Sequence, residues 1–434
     1  MSELHGATVQ GAPRQVARRT KAVAASVLGS MMEWYDFVTF AYVATYISRA
    51  FFPSSNETTA LLATFATFGA GYLTRPLGGI LFGMLGDTKG RKYVLTVTMV
   101  LMAVATISIS LLPGFDQMGY LAPIGLLVAR LGQGLSAGGE GTTGMIYAVE
   151  WAPHGRRGLF GSFQVSGSGT GLLLGSATVS VLLATLSPEA MASWGWRVPF
   201  LVGGVIIGPI GFWIRRSMEE SPAFSASSAR HQKKESAFTR SQVASGVRLF
   251  LLNSSWSIIY YVFLSFMPTF AQRVLHISAT HALAINTLSL AVYIVSMPFF
   301  GFLSDKVGRR PVLLASTIGF ALLTYPLFNL LVSNKSISLY IPVVCCFAVL
   351  LAMYSGTAVS TFSELFPTKS RARWFSGMYQ LSAAVFGGFT PYVATWLIKT
   401  FNSPLAPTAY IITGSIVGAI TIWTMKETAK VELR

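Results

Sequence analysis

Long apolar runs separated by short polar turns dominate the sequence. Twelve of these runs are close to the about 20 residues that a helix needs to cross the hydrocarbon layer of a membrane. They begin near residues 22, 59, 93, 120, 159 and 198, and then near residues 249, 282, 312, 339, 374 and 404. A segment rich in serine and charge, residues 215–242, separates the two sets. The pattern predicts an all-α membrane protein with twelve transmembrane helices in two six-helix bundles.

The same pattern predicts the boundaries of the domains. We expect an N-terminal tail (1–21), a first bundle (22–217), a central linker (218–245), a second bundle (246–425) and a C-terminal tail (426–434). The run after Lys21 is a full-length span without a short apolar core and a small-residue cleavage site, so no removed signal peptide is expected.

Composition and charge agree with a membrane location. Hydrophobic residues make up 52% of the chain and charged residues 11%, whereas a soluble domain carries roughly 25% charged residues. If the N-terminus is cytoplasmic, the cytoplasmic segments hold 25 of the 32 lysines and arginines, and the opposite side holds five. This bias predicts that both termini are cytoplasmic. It also explains the net charge of +16 without a nucleic-acid partner.

Cysteine and histidine offer no reactive cluster. Cys345 and Cys346 are adjacent within one apolar run, and each histidine lies in a tail or a loop. A metal site or a disulfide framework needs other spacings, so we expect packing cysteines, no metal and no cofactor. The expected partners are the lipid bilayer, protons and a small-molecule substrate, and we expect a monomer.

A charged loop occurs twice, once in each half. The sequences GMLGDTKGRK (83–92) and GFLSDKVGRR (301–310) share the pattern Gly-x-x-x-Asp-x-x-Gly-Arg-basic. A second repeat relates EWAPHGRR (150–157) to ELFPTKSR (364–371). Because each half has six helices, the repeats enter the membrane in the same direction. A parallel repeat of this kind is typical of transporters with a substrate site between the halves.

The motifs resemble a known family over residues 22 to 425. The doubled loop and the Arg-x-x-Gln-Gly of the fourth span are similar to signatures of the major facilitator superfamily. Five further motifs resemble its metabolite:proton symporters, which include carriers of citrate, tricarballylate, 2-oxoglutarate, shikimate and proline or betaine: EWYDF (33–37), YLTRPLGG (72–79), RLGQGLSAGGE (130–140), GWRVPF (195–200) and EESPAF (219–224). Thr88 departs from the family, which usually has a basic residue there. The resemblance implies a proton-coupled symporter of the bacterial inner membrane.

Ionisable side chains within spans are costly and mark transport pathways. Glu33, Asp36 and Glu140 are the acids of the predicted spans, and all lie in the first half. They are the candidates for proton coupling. At about 1.5 Å per residue, Asp36 and Arg130 lie at comparable depth, and so do Arg75 and Glu140. These depths predict two ion pairs, Asp36 with Arg130 and Arg75 with Glu140. Permanent structural pairs are the alternative.

The candidate substrate-binding residues are the cations and polar side chains of the spans. Arg75 and Arg130 suit an anionic group, and five further residues are candidates to line the cavity: Tyr35, Gln133, Gln164, Asn253 and Gln380. For a tyrosine in a span, packing with a satisfied hydroxyl is the more frequent alternative.

The repeated loops predict a gate on the cytoplasmic side. Charge-assisted contacts between neighbouring loops would hold the halves together while the cavity faces outward. The residues assigned to this gate are Asp87, Arg91, Arg157, Asp305, Arg309 and Arg371. Ordinary loop chemistry combined with positive-inside topology is the alternative.

The expected function is proton-coupled uptake of citrate, tricarballylate or a related organic anion by alternating access. Residues 385–400 resemble the citrate-like branch, and the sequence ends at Arg434 without the coiled coil of osmosensing betaine/proline carriers. The alternative is the same mechanism with 2-oxoglutarate, shikimate or a zwitterion such as proline or betaine. A membrane-embedded enzyme is a remote alternative, because the spans hold no nucleophile–base set. A channel is equally remote, since it needs no gate between two halves.

Overall fold

The described part of the chain is entirely helical in its regular structure. The structure is a computed structural model that describes residues 27–89, 91–138, 141–150, 152–153, 155–216 and 240–429. These residues form twelve long helical segments, and no strand occurs among them. The all-helical fold predicted from the apolar runs is confirmed.

Six segments make up the first half. They are α1 (27–42 and Ala44–Phe51), α2 (Glu57–Leu73 and Arg75–Lys89), α3 (Arg91–Leu111), α4 (Leu121–Gly138 and Gly141–Glu150), α5 (Arg157–Thr185) and α6 (198–216).

Six more segments make up the second half. They are α7 (Arg240–Arg273), α8 (Ala279–Val307), α9 (Arg309–Asn334), α10 (Ile337–Glu364), α11 (368–401) and α12 (Ala406–Trp423). The helix α7 begins within the segment predicted as linker, because its first polar turn extends beyond the apolar run. Seven helices of the described chain are long and apolar enough to cross a membrane.

Several helices are irregular near the centre of the molecule. A turn at Thr74 interrupts α2 directly before Arg75. The helices α7 and α11 contain π-helical segments at Val262–Phe266 and Ala383–Gly387. Such segments are rare and often occur at functional sites. Both adjoin the cavity described below.

The two halves meet where small residues let helix backbones approach each other. At the crossing of α5 and α8, a Cβ atom added at Gly301 would lie 2.6 Å from the carbonyl oxygen of Gly158. At the crossing of α2 and α11, Gly388 packs against the ring of Tyr72. These close crossings enclose a space between the halves, in which the candidate site lies.

Candidate functional site

A cavity lies between the two halves. About 400 Å³ of unfilled space, part of it open to solvent, is lined by both bundles. The first half contributes Trp34, Arg75, Met145, Val165 and Ser168. The second half contributes Trp256, Ser257, Tyr260, Tyr261, Tyr379 and Ala383. Its position agrees with a substrate site between parallel repeats.

Five aromatic side chains form a contiguous wall, called here the aromatic box: Trp34, Trp256, Tyr260, Tyr261 and Tyr379. The Trp34 ring lies 5.5 Å from that of Tyr260 and 6.2 Å from that of Tyr261, centroid to centroid. The Trp256 ring lies 5.8 Å from Tyr260 and 6.2 Å from Tyr379. Aromatic faces carry partial negative charge, so a box of this kind attracts a desolvated organic cation.

Arg75 is the one cationic side chain among the described lining residues. Its guanidinium packs on the rings of Tyr72 and Phe37, at 4.3 and 4.5 Å from their centroids. Its Nη2 lies 3.8 Å from Oε1 of Glu33, which is an ion pair but not a hydrogen bond. Within the described chain, Nε and Nη2 of Arg75 have no hydrogen-bond acceptor. This edge of the guanidinium is therefore able to receive a carboxylate.

The charged pairs differ from those predicted by helix depth. Arg75 pairs with Glu33, and Glu140, its expected partner, lies outside the described residues. The expected pair of Asp36 with Arg130 does not form in the described part of the chain. Depth along a helix axis does not define which way a side chain points about that axis, and this rotation separates the two residues.

Arg130 is fully buried inside the first half. It donates to Oε1 of Gln133 at 2.7 Å and to the carbonyl oxygens of Phe37 and Phe68 at 3.4 Å. Its guanidinium carbon lies 4.1 Å from the Phe37 ring centroid and 4.6 Å from that of Phe40. These contacts tie α1, α2 and α4 together, and Arg130 does not line the cavity.

Asp36 points away from the cavity toward α3 and α6. Its carboxylate lies beside Thr106 of α3. Gly203 of α6 comes so close that an added Cβ would collide with Oδ1 of Asp36. Glu33, one turn earlier, points toward Arg75 instead. The two acids of α1, both candidates for proton coupling, thus have different surroundings.

Two other candidates of the first half also bind neighbouring helices. The Tyr35 hydroxyl donates to the carbonyl oxygen of Pro199 at 3.1 Å. The Gln164 side chain donates to the hydroxyl of Ser30 at 2.7 Å. Neither residue lines the cavity.

The polar candidates of the second half lie close to the cavity without lining it. The Asn253 amide donates to the carbonyl oxygen of Tyr379 at 3.1 Å and to the Ser382 hydroxyl at 3.2 Å. The Gln380 amide reaches across the halves to the carbonyl oxygen of Gly138 at 3.5 Å. Asn253 thus supports the backbone beside Tyr379, one of the lining residues.

The sequence patterns predict no ligand role for the five residues of the aromatic box. The one sequence signal for the aromatic box is the spacing of Trp256 and Tyr260 by four residues, which places both rings on the same face of α7. Trp34 and Tyr379 join that face only through tertiary packing. Of the predicted substrate-binding residues, the described structure places Arg75 alone in the cavity wall.

The end of the bundle that carries residues 301–310, called here the motif end, is closed by contacts between the halves. The Asp305 carboxylate accepts the backbone N–H groups of Gly158 and Leu159 at 2.8 and 3.0 Å. These donors are in the first turn of α5, where the helix dipole favours a negative charge. Asp305 also pairs with Arg309 at 2.8 Å.

Two further ion pairs cross the halves at the motif end. Arg157 lies 3.7 Å from Glu364, and Arg371 lies 2.7 Å from Glu150. Both glutamates belong to the second sequence repeat, which by itself predicts no role for them. The side chains of Asp87 and Arg91, predicted for the same gate, lie outside the described residues.

The residues after α12 fold back onto the motif end. Glu427 accepts the backbone N–H groups of Arg309 and Arg310 at 2.8 and 3.1 Å, and the Thr428 hydroxyl donates to Glu364 at 2.7 Å. Partial burial raises the pKa of Glu427, but its backbone hydrogen bonds outweigh that effect and hold the pKa below its usual range.

The opposite end of the bundle, where α2 begins and α7 ends, is called here the hairpin end. Contacts connect the two halves there as well. Glu57 at the start of α2 pairs with Arg273 at the end of α7 and lies 3.3 Å from Arg49. Lys399 of α11 donates to the Thr59 hydroxyl at 3.1 Å. Contacts between the halves therefore lie on both sides of the cavity.

Comparisons with known proteins agree with this architecture. Residues 21–251 match the model of the sugar (and other) transporter family, and residues 272–433 match that of the major facilitator superfamily. The chain belongs to the major facilitator superfamily. It is a multi-pass membrane transporter, and the expectation that it is not an enzyme agrees with this membership.

Curated relatives of this superfamily member have substrates in their names. The chain is 35% identical to the proline/betaine transporter of Escherichia coli K12, over 95% of its own length and 85% of the relative's. It is 33% identical to the glycine betaine/proline/ectoine/pipecolic acid transporter of Dickeya dadantii, over 96% and 85%. The expected likeness to citrate and tricarballylate carriers is not confirmed, and these names match the alternative given for a zwitterion.

Solved structures show the same fold at low sequence identity. A proton:xylose symporter bound to 6-bromo-6-deoxy-D-glucose superposes with a TM-score of 0.79 at 16% identity, covering 96% of this chain and 98% of that one. The xylose transporter of E. coli in a partially occluded inward-open conformation gives 0.78 at 16% identity, covering 94% and 98%.

Proposed function

We propose that this chain is a proton-coupled symporter of small zwitterions that carry one carboxylate and one alkylated ammonium group, such as glycine betaine and proline. The observation that carries the proposal is the aromatic box beside Arg75 in one cavity. Aromatic faces suit the ammonium group, and the guanidinium suits the carboxylate. The names of the curated relatives support the same class of substrate.

The cavity favours a zwitterion over the organic anion expected from the chain's tail. Citrate and tricarballylate carry several negative charges, and each of these charges would need a cation beside it when it is buried in the cavity. Arg75 alone supplies one among the described lining residues, because Arg130 is enclosed by phenylalanine rings in the first half. A secondary or quaternary ammonium group carries its own positive charge and leaves a single carboxylate for Arg75.

The contacts at the two ends support alternating access. Transport by a parallel-repeat carrier requires one end to open while the other stays closed. We propose that the motif end is the cytoplasmic gate, in agreement with the concentration of lysine and arginine on that side. The membrane would then be the bacterial inner membrane, with both termini in the cytoplasm.

Uptake into proteoliposomes tests this function. With an imposed proton gradient, alkaline inside, labelled glycine betaine is expected to accumulate above its external concentration, and a protonophore should abolish the accumulation. Unlabelled proline is expected to compete, and citrate is not. Gradient-driven accumulation of citrate without uptake of glycine betaine would restore the organic-anion function. Uptake that only equilibrates and ignores the gradient would contradict symport.

A further inference from the structure

The pair of Arg75 and Glu33 is buried but loosely made. Their side chains are 4% and 6% exposed, and the closest N···O distance is 3.8 Å. Most of the contact surface of the guanidinium is aromatic, since the rings of Tyr72, Phe37 and Trp34 lie 4.3 to 5.7 Å from it. Glu33 therefore balances the charge of Arg75 without occupying the best hydrogen-bonding positions of the guanidinium.

A substrate carboxylate fits those positions better than Glu33 does. Nε and Nη2 of Arg75 have no acceptor in the described part of the chain, and Arg75 lines the cavity. An arginine fork binds a carboxylate through two parallel hydrogen bonds, which is its strongest mode of recognition. A bound substrate would therefore place a second carboxylate on a guanidinium that Glu33 already neutralises.

Glycine betaine brings its own positive charge, so the total charge of the site stays balanced, but its carboxylate and that of Glu33 would share one guanidinium and repel each other at short range. Protonation of Glu33 removes that repulsion, whereas protonation of the substrate would give up the bidentate contact. The described titratable groups that face Glu33 from neighbouring helices are Arg75 and Tyr72 of α2 and Tyr379 of α11. Among them only Arg75 carries a charge near neutral pH.

We infer that the substrate carboxylate competes with Glu33 for Arg75, and that Glu33 takes up the transported proton when the substrate binds. The step adds one proton from solvent to the Glu33 carboxylate, and the same proton leaves when the substrate is released. Asp36, which faces α3 and α6, then supports the helices and does not carry the coupled proton. This inference rests on the proposed function, because it requires a substrate with a carboxylate.

Substrate affinity measured against pH tests the competition. Binding that takes up a proton is favoured at low pH. The Kd of the purified wild-type carrier for glycine betaine should therefore rise by up to about tenfold for each unit by which the pH is increased. Glu33→Gln mimics the protonated acid. It is expected to bind glycine betaine at least as tightly as wild type at neutral pH, with a Kd that no longer depends on pH. Gradient-driven accumulation in proteoliposomes should be lost.

Three further variants make the result specific. Asp36→Asn is expected to keep the wild-type pH dependence of the Kd. The same is expected of Glu189→Gln, which removes an exposed carboxylate between α5 and α6. Glu33→Asp retains an ionisable group and should keep a pH dependence with a changed affinity, so the test stands even if Glu33→Gln does not fold. Thermal unfolding of each variant reports its folding.

The possible outcomes separate the inference from the proposed function. If the wild-type carrier binds neither glycine betaine nor proline, the proposed function and the inference about Glu33 are both wrong. If it binds glycine betaine with a Kd that is independent of pH, the inference alone falls. The inference also falls if the pH dependence survives in Glu33→Gln or disappears in Asp36→Asn.

Discussion

At the scale of single residues, the two buried arginines of the first half have distinct surroundings. Arg130 is held by Gln133 and by two backbone carbonyls within its own bundle. Arg75 faces the space between the halves, with Glu33 behind it and aromatic rings on its faces. Both arginines lie in motifs that resemble those of the metabolite:proton symporters, and the motifs alone do not predict which of the two lines the cavity.

The aromatic box leads to a prediction at Trp34. Replacing it with alanine removes one aromatic face from the cavity, and a cation–π contact contributes about 0.5 to 2 kcal/mol. The Kd for glycine betaine is expected to rise by about 2- to 30-fold in Trp34→Ala and by less in Trp34→Phe, which retains a ring. Isothermal titration with purified protein measures the change.

Trp423→Ala is the matched control for that prediction. Trp423 is 71% exposed at the end of α12, far from the cavity lining, so its loss should leave the Kd unchanged. Equal effects of Trp34→Ala and Trp423→Ala, or no effect of Trp34→Ala, would contradict an aromatic box for the ammonium group.

At the scale of helices, α4 and α11 move relative to each other if the motif end opens. The hydroxyls of Thr142 on α4 and Ser376 on α11 lie 2.6 Å apart across the two halves. That distance is compatible with the Cβ separation of a disulfide. In a background with Cys345→Ala and Cys346→Ala, we predict that Thr142→Cys with Ser376→Cys forms a disulfide under oxidation and stops transport of glycine betaine.

Reduction is expected to restore transport in the double-cysteine variant. Each single-cysteine variant, treated with the same oxidant, should transport at an unchanged rate. A cross-linked carrier that transports normally would show that α4 and α11 do not separate at this point, and the motif end would then not be the gate.

At the scale of the whole molecule, the two ends differ in how deeply their ion pairs are buried. At the motif end, the side chains of Arg157 and Glu364, which pair across the halves, are 9% and 2% exposed. At the hairpin end, the side chains of Glu57 and Arg273 are 58% and 31% exposed. Exposed pairs contribute only about 0 to 1 kcal/mol and are screened by salt. Closure of the hairpin end therefore depends little on its charges.

This difference predicts a small effect of Glu57→Gln. The substitution removes the bridge to Arg273, and the initial rate of glycine betaine uptake is expected to change by no more than about fivefold. The effect should shrink as the external salt concentration rises, because screening already weakens the wild-type pair. Loss of transport that persists at high salt would show that the pair is a principal gate.

Most of the fold could be predicted from the sequence, but only part of the candidate site could. Long apolar runs require helices because the membrane offers no other partner for backbone groups, so the all-helical fold is a local property. The repeated Asp-x-x-Gly-Arg loop likewise marks where contacts form at the motif end. Glu150 and Glu364 appeared in the repeat, yet their partners Arg371 and Arg157 lie in the opposite halves of the chain.

The apolar runs and the repeated motifs predict the helical membrane fold, the two related halves, and Arg75 as a charged residue within a span. The packing of the helices determines that Glu33 pairs with Arg75 and that Asp36 turns away from the cavity. The tertiary structure also brought Trp34 of the first half against Tyr260 of the second. The position of a residue along an apolar run specifies its depth in the membrane, whereas its partner depends on how each helix is rotated against its neighbours.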